Sequence, residues 1–172
     1  MSVEVREIVE WDVEGFREAL DSVAREKRYL ASFAAPPVED VHQFIASGIA
    51  ANVPRFVAVD GDRVVGWIGI RPGTSITERH SGLLGMGIVS EYRGQGIGER
   101  LLAACVAKAR GDGMVRISLH VRSDNARAIS LYTKAGFRIE GVMSRAMRFE
   151  DGFHDALLMS LVDDSSAPEV GT

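Results

Sequence analysis

The chain has 172 residues, 46% hydrophobic and 26% charged, with a formal net charge of −4. These values suit a single soluble domain over residues 1–162, give no basic footprint for nucleic acid, and come with no apolar run near the roughly 18 residues of a membrane span. Cys105 is the only cysteine, which excludes an internal disulfide and a cysteine-based metal site; MSVEVREIVEWD lacks a basic-then-apolar leader, so a cytoplasmic location is expected.

Alternation over residues 3–8 predicts a first strand. Phe16, Leu20 and Val23 at helix-like spacing predict a helix over residues 12–29. Pro36 and Pro37 suit the start of a second helix, since a first turn accommodates proline; Val38, Val41, Phe44, Ile45 and Ile49 form its apolar face, expected in the core. RFVAVDGDRVVGWIGI is apolar on both sides of Asp60-Gly61-Asp62, the pattern of a tight hairpin. After the polar RPGTSITERH comes GLLGMGIV, a third apolar run whose Gly85 and Gly87 indicate a bulge, the close approach of a ligand, or packing.

Gly94, Gly96 and Gly98 then alternate ahead of an amphipathic helix carrying Ile97, Leu101, Leu102, Cys105 and Ala109, which ends at Gly111 or Gly113. Val115, Ile117, Leu119 and Val121 alternate with Arg116, Ser118, His120 and Arg122 as a strand. SDNARAISLYTKAG reads as a short helix, with Ser123 or Asp124 as its cap and Gly136 as its stop. Residues 137–149 and 153–162 are two antiparallel strands around Glu150-Asp151-Gly152, and the polar tail 163–172 is expected to be disordered. There is no internal repeat.

The glycine cluster in EYRGQGIGERLL asks for a physical reason, because glycine costs about 0.5–1 kcal/mol relative to alanine in regular structure. A helix N-terminus has unpaired amides and roughly half a positive charge, so a glycine loop leading into one is an anion site, and phosphate is its natural ligand. Neither familiar nucleotide loop fits. A P-loop needs lysine then serine or threonine where Glu99 and Arg100 stand, and a dinucleotide fingerprint needs G-x-G-x-x-G after the first strand.

RGQGIG resembles the R/Q-x-x-G-x-G/A signature of the GNAT N-acetyltransferases, with Arg93, Gly96 and Gly98 on its fixed positions after the strand GMGIV. About thirty residues on, NARAISLYTKAGF resembles the family's second motif through Asn125, Ala128, Tyr132, Lys134 and Gly136-Phe137. The resemblance spans roughly residues 57–161, and MSRAMRFEDGFHDALLMSLV looks most like the branch that acetylates amino acids or related small amines. It implies an α/β fold: a bent, mainly antiparallel sheet of six to seven strands with about four helices, splayed where acetyl-CoA enters.

By the same resemblance, the amides of Gly94, Gln95, Gly96, Ile97 and Gly98 cradle the pyrophosphate, Ile88 and Val89 pair with the pantetheine arm, and an amide near Gly87 or Ile88 polarises the thioester carbonyl. Tyr132 is the implied general acid, with Asn125 and Ala128 on the same side of its helix. Arg93 is placed near phosphate, with a local salt bridge as its other reading. Lys134 is a cofactor contact or part of a solvated helix face.

Many relatives have a glutamate base on the strand before the glycine loop. Here that strand offers Met86 and Gly87, so the proton is expected to leave through water, with Glu78, His80, His154 and Asp155 as candidate bases. His80 is the first choice because an unperturbed imidazole titrates near ~6.5. Trp11, Phe16, Tyr29 and Phe33 are candidates to line an acceptor pocket or the core. His42, His80, His120 and His154 have no metal-ligand spacing. The expected activity is acetyl transfer from acetyl-CoA to a small primary amine, an amino acid or analogue. The rivals are a protein lysine or N-terminal acetyltransferase and a non-catalytic acetyl-CoA sensor. Homodimers are common in the family, and no residue here demands one.

Overall fold

The computed structural model describes residues 2–165. Four helices and seven strands alternate as β1 (Glu4–Glu7), α1 (Val13–Ala24), α2 (Val38–Ala50), β2 (Arg55–Asp60), β3 (Arg63–Pro72), β4 (Ser81–Ile88), α3 (Ile97–Gly111), β5 (Arg116–Arg122), α4 (Ala126–Lys134), β6 (Arg138–Phe149) and β7 (Gly152–Val162). The strands form one sheet in the order β1-β2-β3-β4-β5-β7-β6. Every neighbouring pair is antiparallel except β4 and β5. This is the expected mixed, mainly antiparallel α/β architecture.

The alternation of each strand divides its side chains between two cores. Val65, Ile68, Ile70, Leu84, Ile117 and Leu119 face α3 and α4, where Leu101, Leu102, Cys105 and Tyr132 complete one cluster. Val57, Val59, Val64 and Trp67 face α1 and α2, where Phe16, Val23, Val41 and Ile45 complete the other. The loop between β2 and β3 turns through Gly61 at φ 60°, as the Asp-Gly-Asp pattern requires.

Several boundaries differ from expectation for identifiable reasons. α1 stops at Ala24 rather than near residue 29, because Glu26 and Lys27 donate their amides back to Val23 and Ala24 and Lys27 takes φ 50°. α2 buries only part of its apolar stripe: Val41 and Ile45 are inside, whereas Val38, Phe44 and Ile49 stay exposed. α4 is capped by Asn125, whose side chain accepts from the Ala128 amide at 3.2 Å. Asp124, an expected cap, instead pairs with Arg122. At the C-terminus, residues 163–165 make a turn in which the Ser165 amide donates to Asp163 at 3.0 Å. The rest of the expected disordered tail lies outside the described residues.

Candidate active site

β4 and β5 pair only over Ser81↔Arg116, Gly82↔Ile117 and Leu83↔Ser118, then part, although β4 runs on to Ile88 and β5 to Arg122. Successive backbone groups of a strand point to opposite edges. The Ser81 carbonyl accepts from Gly73 and the Val89 amide donates to Val65, so odd-numbered residues along β4 face β3. The His80 carbonyl accepts from Val115 and Arg116, so even-numbered residues face β5. Past Leu83 there is no strand to receive them, and the backbone groups of Met86 and the amide of Ile88 open onto the gap, the Ile88 carbonyl being taken by Arg93.

This geometry corrects two expectations. Val89 cannot extend the strand toward an incoming arm, since its amide is held by Val65 at 3.0 Å and its carbonyl by Tyr92 at 2.9 Å. Gly87 faces β3, which leaves Ile88 as the gap-facing amide of the pair. Gly87 is glycine for packing: a Cβ there would sit 2.4 Å from the Trp67 ring. Gly85 differs, because a Cβ there would meet nothing within 4 Å. No bulge interrupts the β3–β4 register.

At the end of β4 the chain turns into the glycine loop. Gly94 and Gly96 take φ 75° and 77°, the left-handed region where a side chain is strained, and Gly96 caps α3. The Arg93 amide donates to Ser90 at 3.3 Å and the Arg100 amide to Gly96 at 3.2 Å, but the amides of residues 94–99 reach no acceptor among the described residues. A run of unpaired N–H groups at the positive end of a 15-residue helix is an anion cradle. Gln95 keeps its side chain out of it by donating Nε2 to the Glu91 carbonyl at 2.9 Å. Gly98 serves contact between elements: a Cβ would lie 3.2 Å from Leu131 of α4 and 3.3 Å from Ile88 of β4.

Arg93 forms a salt bridge, but with a residue 67 positions away rather than a local one. Its Nη atoms donate to the Glu26 carboxylate at 2.9 and 2.6 Å, its Nε donates to the Ile88 carbonyl at 2.8 Å, and its guanidinium lies 5.1 Å from the Tyr29 ring centroid. It fastens the segment after α1 to the end of β4. On the other side of the gap, buried Arg122 donates to the Arg28 carbonyl at 3.1 Å, and Lys27 pairs with Glu150 of the β6–β7 turn. The segment around Glu26–Arg28 therefore bridges the two diverging strands.

Tyr132 is 7% exposed, with its ring 5.7 Å from that of Phe137. Its hydroxyl makes no hydrogen bond to a described residue. It is not sealed either, since Asp60 Oδ1 is the one side-chain polar atom among them that is both buried and unpartnered. Burial pushes its phenol up, so it stays a neutral donor at working pH. Ala128 and Leu131, also on α4, pack into the same cluster as Met86 and Ile88. Ile88, Gly98, Ala128 and Tyr132 are thus brought together through α3, α4 and β4, whereas Lys134 lies exposed in the last turn of α4.

His80 is placed where it cannot serve this site. It is exposed at the start of β4, at the closed end where β4 and β5 are still paired. Ile88 lies eight residues further along, about 26 Å at ~3.3 Å per residue. Glu78 precedes it and accepts from Ser75 at 2.8 Å. His154 has both ring nitrogens engaged, with Arg122 at 3.0 Å and Asp151 at 2.8 Å, and Asp155 accepts the Arg145 amide at 2.7 Å.

A cavity of about 590 Å³ lies on the opposite face of β4, between α1, α2 and β3, and includes Gly85 and Met86 in its wall. Of the aromatics singled out in the sequence, only Phe16 lines it; Trp11 is 82% exposed and Phe33 packs on Phe149. Its charged lining residues are Asp40, Arg55 and Arg71. None of them was singled out in the sequence, although Arg55 and Arg71 bracket the apolar hairpin. Among the described residues, no group of acidic, cysteine or histidine side chains is arranged to hold a metal.

Residues 7–137 match the sequence profile of the Acetyltransferase (GNAT) family. A mycothiol acetyltransferase from Geodermatophilus obscurus is 30% identical over 134 residues, 73% of this chain and 44% of that protein. The ribosomal protein bS18-alanine N-acetyltransferase of Escherichia coli is 30% identical over 88 residues, 51% of this chain and 60% of that protein. The chain thus spans about half the length of these curated relatives. A phosphinothricin acetyltransferase from Sinorhizobium meliloti, in complex with AcCoA, superposes with a TM-score of 0.89 at 19% identity, covering 100% of this chain and 96% of that one.

Proposed function

The chain belongs to the Acetyltransferase (GNAT) family, and from that premise we propose that it transfers acetyl from acetyl-CoA to the primary amine of a small molecule, an amino acid or analogue. The unpaired amides of residues 94–99 beside the parted strands carry this reading. The coenzyme's pyrophosphate accepts from these amides, and its pantetheine arm lies along the gap-facing groups of Met86 and Ile88. The thioester carbonyl takes the Ile88 amide, a fixed donor where negative charge develops. The AcCoA complex of the Sinorhizobium protein, which has the same fold, is consistent with this assignment.

The amine approaches from the 590 Å³ cavity past Gly85, whose missing side chain leaves the way open. Its ammonium proton leaves to water at the cavity mouth. The nitrogen lone pair then forms the new bond to the carbonyl carbon as the C–S bond breaks, the departing thiolate takes the Tyr132 proton, and the second proton shed by the acetylated nitrogen returns the phenolate to phenol through water. A phenol raised by burial looks too weak an acid for this step until the partner is considered. A thiolate formed in the same apolar surroundings is raised too, and Cys105, in the same core cluster, has its thiol pushed up to about 12 by burial. Donor and acceptor therefore shift in the same direction.

The test is free-thiol release from acetyl-CoA with amino acids, polyamines, aminoglycosides and a peptide beginning in alanine. The reading expects turnover with amino acids. Turnover confined to the peptide would transfer the assignment to protein acetylation, the activity named for the Escherichia coli relative. No thiol release with any of these amines, while acetyl-CoA still binds, would make the protein a sensor.

A further inference from the structure

The acceptor cavity contains a cation that the chemistry above does not use. Arg55 is 9% exposed, with its guanidinium 3.7 Å from the Phe44 ring centroid and Nη1 donating to the Phe44 carbonyl at 2.8 Å. Nε and Nη2 donate to no described residue, and no carboxylate among them pairs with this guanidinium. Neither nitrogen is sealed, because Asp60 Oδ1 alone is both buried and unpartnered. A buried charge without a counter-charge is costly, and here desolvation lowers the arginine's pKa.

The surroundings are nevertheless shaped to hold it. A Cβ on Gly48 would lie 2.3 Å from Nη1, and one on Gly69 would lie 3.4 Å from Nε. Glycine at position 48, inside α2, costs about 1 kcal/mol relative to alanine, so room for the guanidinium is bought with helix stability. Arg55 is the register partner of Gly69, and Arg71 stands two residues further along β3 on the same face. Such diagonal positions are about 7–8 Å apart, within reach of one ligand by two long side chains. Arg71 also lines the cavity and has no hydrogen bond or ion pair with a described residue. The remaining lining is apolar apart from Asp40.

We propose that Arg55 and Arg71 form a carboxylate subsite in the acceptor cavity, so that the acceptor is a free amino acid with an apolar side chain. Phe16, Leu20, Val41 and Trp67 supply walls for that side chain, and Asp40 supplies the charge complementary to its ammonium. Two cations and one anion in an otherwise apolar cavity match a zwitterion, whereas a polyamine would face two uncompensated arginines. The inference rests on the acetyltransferase reading and narrows its substrate.

The experiment compares L-phenylalanine, L-leucine and L-methionine with phenethylamine and L-phenylalaninamide, by free-thiol release, in the wild type and in Arg71→Gln. Removing the carboxylate should lower kcat/KM by about 10–100-fold, the size of a lost charge-assisted hydrogen bond. In Arg71→Gln the preference for phenylalanine over phenethylamine should shrink about 10-fold. Because Arg71 is exposed, this variant should fold even if one at Arg55 does not. Equal turnover of phenethylamine and phenylalanine, or an unchanged preference in the variant, overturns the subsite. If no amine is acetylated, the functional reading falls, and calorimetry with the same two ligands decides the subsite separately. Tighter binding of phenylalanine that is lost in Arg71→Gln upholds it, and equal binding, or none of either, overturns it.

Discussion

Tyr132→Phe separates catalysis from structure, because the hydroxyl it removes makes no hydrogen bond within the described protein. The phenylalanine ring retains the packing on Phe137. With no hydrogen bond surrendered, the stability change should stay below about 1 kcal/mol, or ~2–4 °C in Tm for a chain of this size. Turnover should fall by about 10²–10⁴, the usual contribution of a positioned general acid, with the Kd for acetyl-CoA unchanged. Thiol release is a clean readout, since the protein's one thiol, Cys105, is buried and pushed up to about 12. Alkaline unfolding gives an independent check on the burial of the phenol. A folded-state pKa raised above the unfolded value of ~10 contributes stability that is complete below that value and is lost as pH rises through the folded one. Tyr132→Phe lacks this loss and should unfold at a higher pH than the wild type. Unimpaired turnover in a well-folded variant would remove Tyr132 from the mechanism.

Gly96→Ala places a side chain at φ 77°, a strain of about 1–2 kcal/mol, and should raise the KM for acetyl-CoA about 5–30-fold by disturbing the amide cradle; an unchanged KM would dissociate the loop from the coenzyme. Gly87→Ala must displace the Trp67 ring, 2.4 Å from the new Cβ, and should cost about 1–3 kcal/mol in denaturant unfolding, with a change in tryptophan fluorescence. His80→Ala should leave the pH–rate profile unaltered, because the residue is exposed at the closed end of β4; loss of a limb near pH ~6.5 would restore it as the base.

The local structure of the glycine loop and of α4 was legible in the sequence, for physical reasons that can be stated residue by residue. Gly94 and Gly96 are fixed by positive φ, and the helix after them by a strong apolar stripe, so both are written locally. Tyr132 follows Asn125 by two helical turns, another local relation. What the sequence could not supply was strand direction. Whether Val89 or Ile88 faces the gap depends on the β3–β4 register, which is set by contacts twenty residues apart and flips with a one-residue slip. The placement of His80 failed for the same reason: closeness to the glycine loop along the chain says nothing about which end of β4 is open.

The acceptor side was less readable because its residues become neighbours only through tertiary packing. Arg55 opens β2, Arg71 nearly closes β3 and Asp40 lies in the first turn of α2, so no window of sequence contains them all. The burial of Arg55 also opposes what a charged residue predicts: an arginine beginning an apolar strand reads as a solvated edge. What distinguishes Arg55 is the pair of glycines around it, at positions 48 and 69, each of which looks unremarkable in its own element. Gly48 clears room for the guanidinium, since a Cβ there would lie 2.3 Å from Nη1, whereas a Cβ on Gly69 would only touch the Arg55 side chain at 3.4 Å. On that reasoning, Gly48→Ala should stabilise α2 by propensity yet displace Arg55, so a variant whose stability rises while its amino-acid KM rises would connect the helix glycine to the acceptor site.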